Sequence, residues 1–188
     1  MSNKKSHDII IMSLLSFFFL ISFGNCFSQS SNNANRGETY YKQKGYQTFS
    51  SFKFAIKTPV KLADISSQTK HDFSLEFGGI QKQNNNQMLA VYQLIINRFP
   101  AGYKGLSKKE KNSFREQMIR KHIGQNKAKK IKFGQDELDG FLIQYTQKGY
   151  NAKGIIFIKN DCTYGLTLIS NDKLDQRFNQ LTNSIHFF

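Results

Sequence analysis

The chain has 188 residues, 27 Lys or Arg against 13 Asp or Glu, and two cysteines, Cys26 and Cys162. Its length suits one domain that buries roughly two-thirds of its unfolded surface. The formal net charge of +14 points toward anionic partners, and a lone cysteine beyond the N-terminal leader excludes an intramolecular disulfide.

The chain opens with Lys4 and Lys5 and an apolar run, Ile9 to Phe23, broken only by serines. That run is shorter than the roughly 20 residues a membrane span needs, and with its basic start it reads as a secretory signal peptide over residues 1–28. Cys26-Phe27-Ser28 before Gln29 suits signal peptidase cleavage between Ser28 and Gln29. Lipidation at Cys26 is the alternative, against which Asn25 stands where a small residue is usual. The expectation is an exported protein, periplasmic or extracellular. Residues 29–47 are Ser- and Asn-rich and read as a polar tether, with Tyr40, Tyr41 and Tyr46 able to pack on the domain edge.

From residue 48 onward the spacing predicts one α+β domain, ending at residue 188. Phe52, Phe54 and Ile56 alternate with Lys53, Ala55 and Lys57, a half-buried strand stopped by Pro59. Phe73, Leu75 and Phe77 form a second strand before Gly78 and Gly79, and Met88 to Phe99 is a third, apolar on both faces. Leu106 to Gly124 is a helix. Ser107 and Glu110 make a capping box, Gly124 ends it, and Phe114, Met118 and His122 give it one inward stripe. Lys129 to Phe133 then opens four short strands joined by turns at Gln135–Gly140, Lys148–Gly154 and Asn160–Asp161. A last helix is capped by Asn171 or Asp172, with Leu174, Phe178, Leu181 and Ile185 facing the core and Phe187 and Phe188 sealing its edge. The expected fold is thus an antiparallel sheet of about seven strands, with a central helix after strand three and a C-terminal helix packed on the sheet.

This order of elements, with FKFAIKTP at 52–59 and RFNQLTNSIHFF at 177–188, resembles the Mog1/PsbP-like superfamily over residues 50–188. Domains of that kind often begin with an extended segment leading to a proline, as Phe52 to Pro59 does. They often close with a helix running into a short hydrophobic tail, as Phe178 to Phe188 does. The family includes accessory subunits of photosynthetic membrane complexes, a partner of a small GTPase and exported bacterial proteins, mostly not enzymes. The resemblance implies a binding or assembly role and transfers no catalytic residue.

Catalytic raw material is scattered. His71, His122 and His186 lie on different elements, and no pair of histidines has metal-ligand spacing. Cys162 shares strand parity with Tyr164, Leu166 and Leu168, so it should be buried and inert. Asp136, Glu137 and Asp139 sit in a turn that lacks the ligand pattern of a calcium loop. Neither a metal nor a cofactor is expected.

The charge is concentrated. Between Arg98 and Lys132 there are twelve Lys or Arg against Glu110 and Glu116. Lys108, Lys109, Arg120, Lys121, Lys129 and Lys130 are the candidate partner-binding residues of a basic face. Nucleic acid fits poorly, because the chain is expected outside the cell and stacking aromatics are sparse there. An envelope protein or an anionic envelope surface fits better, within a larger membrane-associated complex or alone. A solvated face, or a Lys- and Asn-rich composition set by the genome, is the competing account of the charge. The functional expectation is a non-catalytic accessory subunit of the cell envelope. An enzyme built from His71, His122 and the 136–139 cluster, or a small-molecule carrier with an apolar cavity, is the alternative.

Overall fold

The computed structural model describes residues 36–66, 74–147 and 149–188. The expected leader, its cleavage site, Cys26, residues 29–35, His71 and Phe73 lie outside the described residues. The elements are α1 (Arg36–Gln43), β1 (Gln47–Phe49), β2 (Phe54–Ile56), β3 (Ala63–Asp64), β4 (Ser74–Lys82), β5 (Met88–Arg98), α2 (Lys108–Ile123), β6 (Ala128–Phe133), β7 (Leu138–Gln147), β8 (Tyr150–Lys159), β9 (Cys162–Ile169), α3 (Leu174–Asn183) and β10 (His186–Phe187). Seven strands form one antiparallel sheet in the order β3-β4-β5-β9-β8-β7-β6, and β1-β2-β10 form a second, small sheet. This is the expected α+β class, with α2 following β5, the third strand that the sequence pattern marks. The additional strands β1, β3 and β10 are two or three residues long, too short to carry a period.

The register divides the large sheet into two unequal faces. Opposed residues point the same way, so Tyr92, Leu94, Ile96, Cys162, Tyr164, Leu166, Leu168, Ile155 and Phe157 share one face, where they are all buried. α3 and the small sheet close that face with Phe178, Leu181, Ile185, Phe49, Phe54 and Ile56 in one continuous core. The stripe expected on the last helix is therefore inward. Its cap differs from expectation. Lys173, with φ 49, is the N-cap and makes no side-chain cap bond. The Asn171 side chain is engaged by Asn151 N and Gly149 O, and the Asp172 carboxylate holds Arg177 at 2.9 Å.

The opposite face is covered differently. α2 lies over β8 and β9, with the His122 ring above Gly165. Phe114, Met118, Ile119, His122 and Ile123 are half-buried, and no α2 residue is fully buried. The capping box is formed, Ser107 N donating to Glu110 Oε2 at 2.8 Å and Glu110 N to Ser107 Oγ at 3.4 Å, with Gly124 as C-cap. At the far end of this face Val91, Ala152 and Ile169 form a second small cluster.

Three local expectations are corrected. β2 does not alternate: Phe54, Ala55 and Ile56 are all fully buried, because the segment expected to be a tether is helical from Arg36 and α1 packs beside β1. Ala55 pairs with His186, on which Tyr41 of α1 stacks at 5.0 Å. β4 does not stop at Gly78–Gly79 but runs to Lys82. Gly79 is required by packing, since a Cβ would meet Val60 at 2.8 Å and the Lys61 carbonyl at 3.1 Å. Leu75, expected inward, is exposed. The Asn160–Asp161 turn falls where expected, both residues taking positive φ, 49 and 55, the geometry of a two-residue type I′ turn, whereas the other two turns are shorter than expected, with β7 starting at Leu138 and β8 at Tyr150.

Candidate functional site

All six candidate partner-binding residues are exposed, but they do not converge as one group. Lys108 and Lys109 occupy the first turn of α2, and Arg120 and Lys121 the last. Lying at the two ends of this one helix, the pairs are roughly 18 Å apart at a rise of about 1.5 Å per residue. Lys129 and Lys130 are neighbours on β6 and point to opposite faces. Lys130 alone of the six lines a hollow, with Arg115, Ile119, Asp139, Phe141, Ile158 and Lys159 around a volume of about 370 Å³. Lys132 is paired with Asp139 at 3.1 Å. Among the described residues no carboxylate lies in ion-pairing range of Arg115, Lys130 or Lys159.

A second hollow, of about 640 Å³, lies on the other side of the β8–β9 turn. Lys53, Arg98 and Lys104 supply its cations, Phe52, Phe99 and Tyr103 its rings, and Asn160, Asp161 and Cys162 complete the lining. Both hollows include Asn160 and Asp161, so five basic residues absent from the sequence-based set, Lys53, Arg98, Lys104, Arg115 and Lys159, gather at one end of the sheet beside Lys130. Their wide separation along the chain hid them. Only the register that opposes Arg98 to Cys162 and Lys130 to Phe141 brings them to the same end. A larger hollow of about 730 Å³ at the opposite end of β8 is lined by Lys153 and Asp175. These neutralise each other at 2.6 Å, which leaves that site little field.

The acid–base candidates are occupied elsewhere. His122 lies beneath α2, its Nδ1 2.8 Å from the Met118 carbonyl and its Nε2 2.7 Å from the Asn97 amide nitrogen. These partners require an imidazole that donates from Nδ1 and accepts at Nε2 from the amide. Burial pushes the His122 pKa down, which favours that neutral form. His186 stacks on Tyr41 and meets Tyr46 edge-on. Asp136 and Glu137 are exposed in the β6–β7 turn. Cys162 is 3% exposed, and burial raises its thiol pKa against the lowering effect of nearby Arg98. It faces the α3 side of the sheet, whereas His122 faces the α2 side, so the sheet itself separates them. Among the described residues no three His, Cys, Asp or Glu side chains group as metal ligands would.

No family model matches the chain, and no curated protein matches it. Two solved structures are similar in arrangement. The solution structure of cyanobacterial PsbP (CyanoP) from Synechocystis sp. PCC 6803 is 7% identical, with a TM-score of 0.46, over 76% of this chain and 91% of that one. A crystal structure of a protein from Bacteroides thetaiotaomicron is 11% identical, with a TM-score of 0.41, over 72% of this chain. The chain spans 45% of that protein's length. At such identities no residue here inherits a role from PsbP.

Proposed function

We propose that this protein is a non-catalytic, exported accessory protein that binds an anionic partner, a protein or surface of the cell envelope, through the basic residues of α2 and β6 and the end of the sheet beside them. The observation that carries this reading is the exposure of Lys108, Lys109, Arg120, Lys121, Lys129 and Lys130, of which Lys130 stands with Arg115 and Lys159 around an open hollow with half-buried Ile119, Phe141 and Ile158 on its wall. Unpaired cations beside apolar surface attract an acidic partner at long range and give it something to bury on arrival. An enzyme reading would need its acid, base and nucleophile in one hollow, and His122 and Cys162 stand on opposite sides of the sheet.

A structural use competes for part of this charge. β6 is the free edge of the large sheet, and lysines on an edge strand discourage pairing with another chain. The two uses separate by experiment. Lys108, Lys109, Arg120 and Lys130 are changed together to Glu, and wild type and variant are used to capture partners from the native envelope at two ionic strengths. Fold stability should change little, since exposed charges contribute little individually. Capture by wild type should fall with salt, as the screening length shrinks from about 10 Å at 0.1 M to about 3 Å at 1 M, and the variant should lose it at both. Equal capture by both proteins at both ionic strengths would overturn the proposal and leave the lysines a solubility and edge-protection role.

A further inference from the structure

The hollow between the β8–β9 turn and residues 51–53 shares Asn160 and Asp161 with the hollow beside Lys130, but the rest of its lining differs and its chemistry is of another kind. Arg98, at the end of β5, donates from Nη2 to the Ser51 carbonyl at 3.1 Å, and its guanidinium lies 5.1 Å from the centre of the Phe52 ring. One bond and one ring contact fix the plane of the fork. Among the described residues no carboxylate is in ion-pairing range of it. Lys53 and Lys104 are exposed on the rim, and Asp161 is the one acidic side chain in the lining, so the hollow keeps an excess of positive charge.

The apolar part is equally defined. Phe52, Phe99 and Tyr103 line the hollow, and Phe99 and Tyr103 are locked edge-to-face at 4.6 Å. Tyr103 is 3% exposed, and its hydroxyl lies within the packing without a hydrogen-bond partner among the described residues, as do those of Thr163 and Tyr164. The volume of about 640 Å³ falls in the range of small-molecule sites, which combine apolar walls with a few placed polar groups.

We infer that this hollow binds a small organic carboxylate with an apolar body, its headgroup on Arg98 and its body against Phe52, Phe99 and Tyr103. A planar fork held beside a ring suits a carboxylate, which it engages through two parallel N–H donors. Three aromatic side chains in the lining suit a body of roughly one ring and a short chain. Cys162 lines the same hollow and, being buried, is labelled only when the native structure opens, so an occupant that stabilises the native state slows its labelling.

The test is calorimetric titration of the purified protein with 3-phenylpropanoate, beside acetate, 3-phenylpropanol and phenyl phosphate. Saturable binding of 3-phenylpropanoate is expected, with acetate and 3-phenylpropanol each weaker by about tenfold or more, as loss of the apolar contacts or of a charge-assisted bond implies. Arg98→Gln should weaken it by a similar factor. Arg98→Lys should weaken it less, since charge is kept and only the fork is lost. If a variant folds poorly, labelling of Cys162 in the wild-type protein decides: 3-phenylpropanoate should slow it and acetate should not. No binding or protection at millimolar concentration, equal binding of 3-phenylpropanol, or undiminished binding by a folded Arg98→Gln variant would each overturn the assignment, and tighter binding of phenyl phosphate would overturn the headgroup. The Lys108, Lys109, Arg120 and Lys130 reversal should leave this binding unchanged, so failure here is distinct from failure of the envelope-partner proposal.

Discussion

His122 is the residue whose surroundings carry the clearest consequence. Its imidazole is buried between Met118 and Asn97, and its pKa lies below the ordinary 6.5 because of that burial. Below about pH 6.5 the unfolded chain therefore takes up a proton that the folded one resists, and stability rises with pH wherever the unfolded state binds more protons. His122's contribution is complete above about pH 6.5 and is lost as pH falls through the folded pKa. Urea unfolding of wild type and His122→Gln between pH 7.5 and 5 checks this, and the difference between the two stability curves should shrink or change sign as pH falls; parallel curves would contradict it. Cys162 behaves in the opposite sense. Burial raises its pKa and leaves the thiol protonated and covered, so a thiol reagent should label it slowly in the native protein and rapidly in denaturant. Fast native labelling would show that strand parity misplaces it. That parity was readable from Cys162, Tyr164, Leu166 and Leu168 alone, whereas the bond from Asn97 to His122 joins elements 25 residues apart and has no sequence signature.

At the scale of elements, the two long helices are held by different means. α3 places Phe178 and Leu181 in the main core, each nearly fully buried, so Phe178→Ala should cost about 3–5 kcal/mol, read as a drop in unfolding free energy. A loss below about 1 kcal/mol, the level of an ordinary mutation, would mean that the stripe does not anchor the helix. α2 buries no residue completely and depends more on its ends. Ser107→Ala removes the cap that satisfies Glu110 N and should cost about 1 kcal/mol. By the same reasoning, α2 amides should exchange with solvent before those of β5 and β9, because a helix with few buried contacts opens at lower free energy. Simultaneous exchange of α2 with the sheet centre would contradict this. The sequence marked both helices by period, and α2 by its cap as well, but it did not reveal that one sits in the core and the other rests on a half-covered face. That difference comes from the small sheet, whose strands β1 and β10 are too short to announce themselves.

For the whole molecule, the expected address has its own test. If the leader is cleaved as its pattern implies, the intact mass of the protein recovered after export should correspond to a chain starting at Gln29. A lipid-modified Cys26 at the N-terminus would instead make the protein a membrane-anchored lipoprotein. No helix among the described residues is long and apolar enough to cross a membrane. What the sequence determined by itself was whatever depends on near neighbours: the hairpins at Gln135–Gly140 and Asn160–Asp161, the capping box at Ser107 and Glu110, the inward stripe of α3, and the concentration of lysine between residues 98 and 132. Each is a local preference of backbone or side chain that acts over a few residues. Only the tertiary structure decided which charges stand together. Strand order and register set Lys53, Arg98, Lys104, Arg115, Lys130 and Lys159 around one turn, while α2 holds Lys108 and Arg120 apart at its two ends. It likewise made a docked helix of the polar segment at Arg36, because Tyr41 finds His186 and Phe188 from the far end of the chain. Such pairings follow from how two sheets pack, and a linear pattern carries no information about partners more than a hundred residues away.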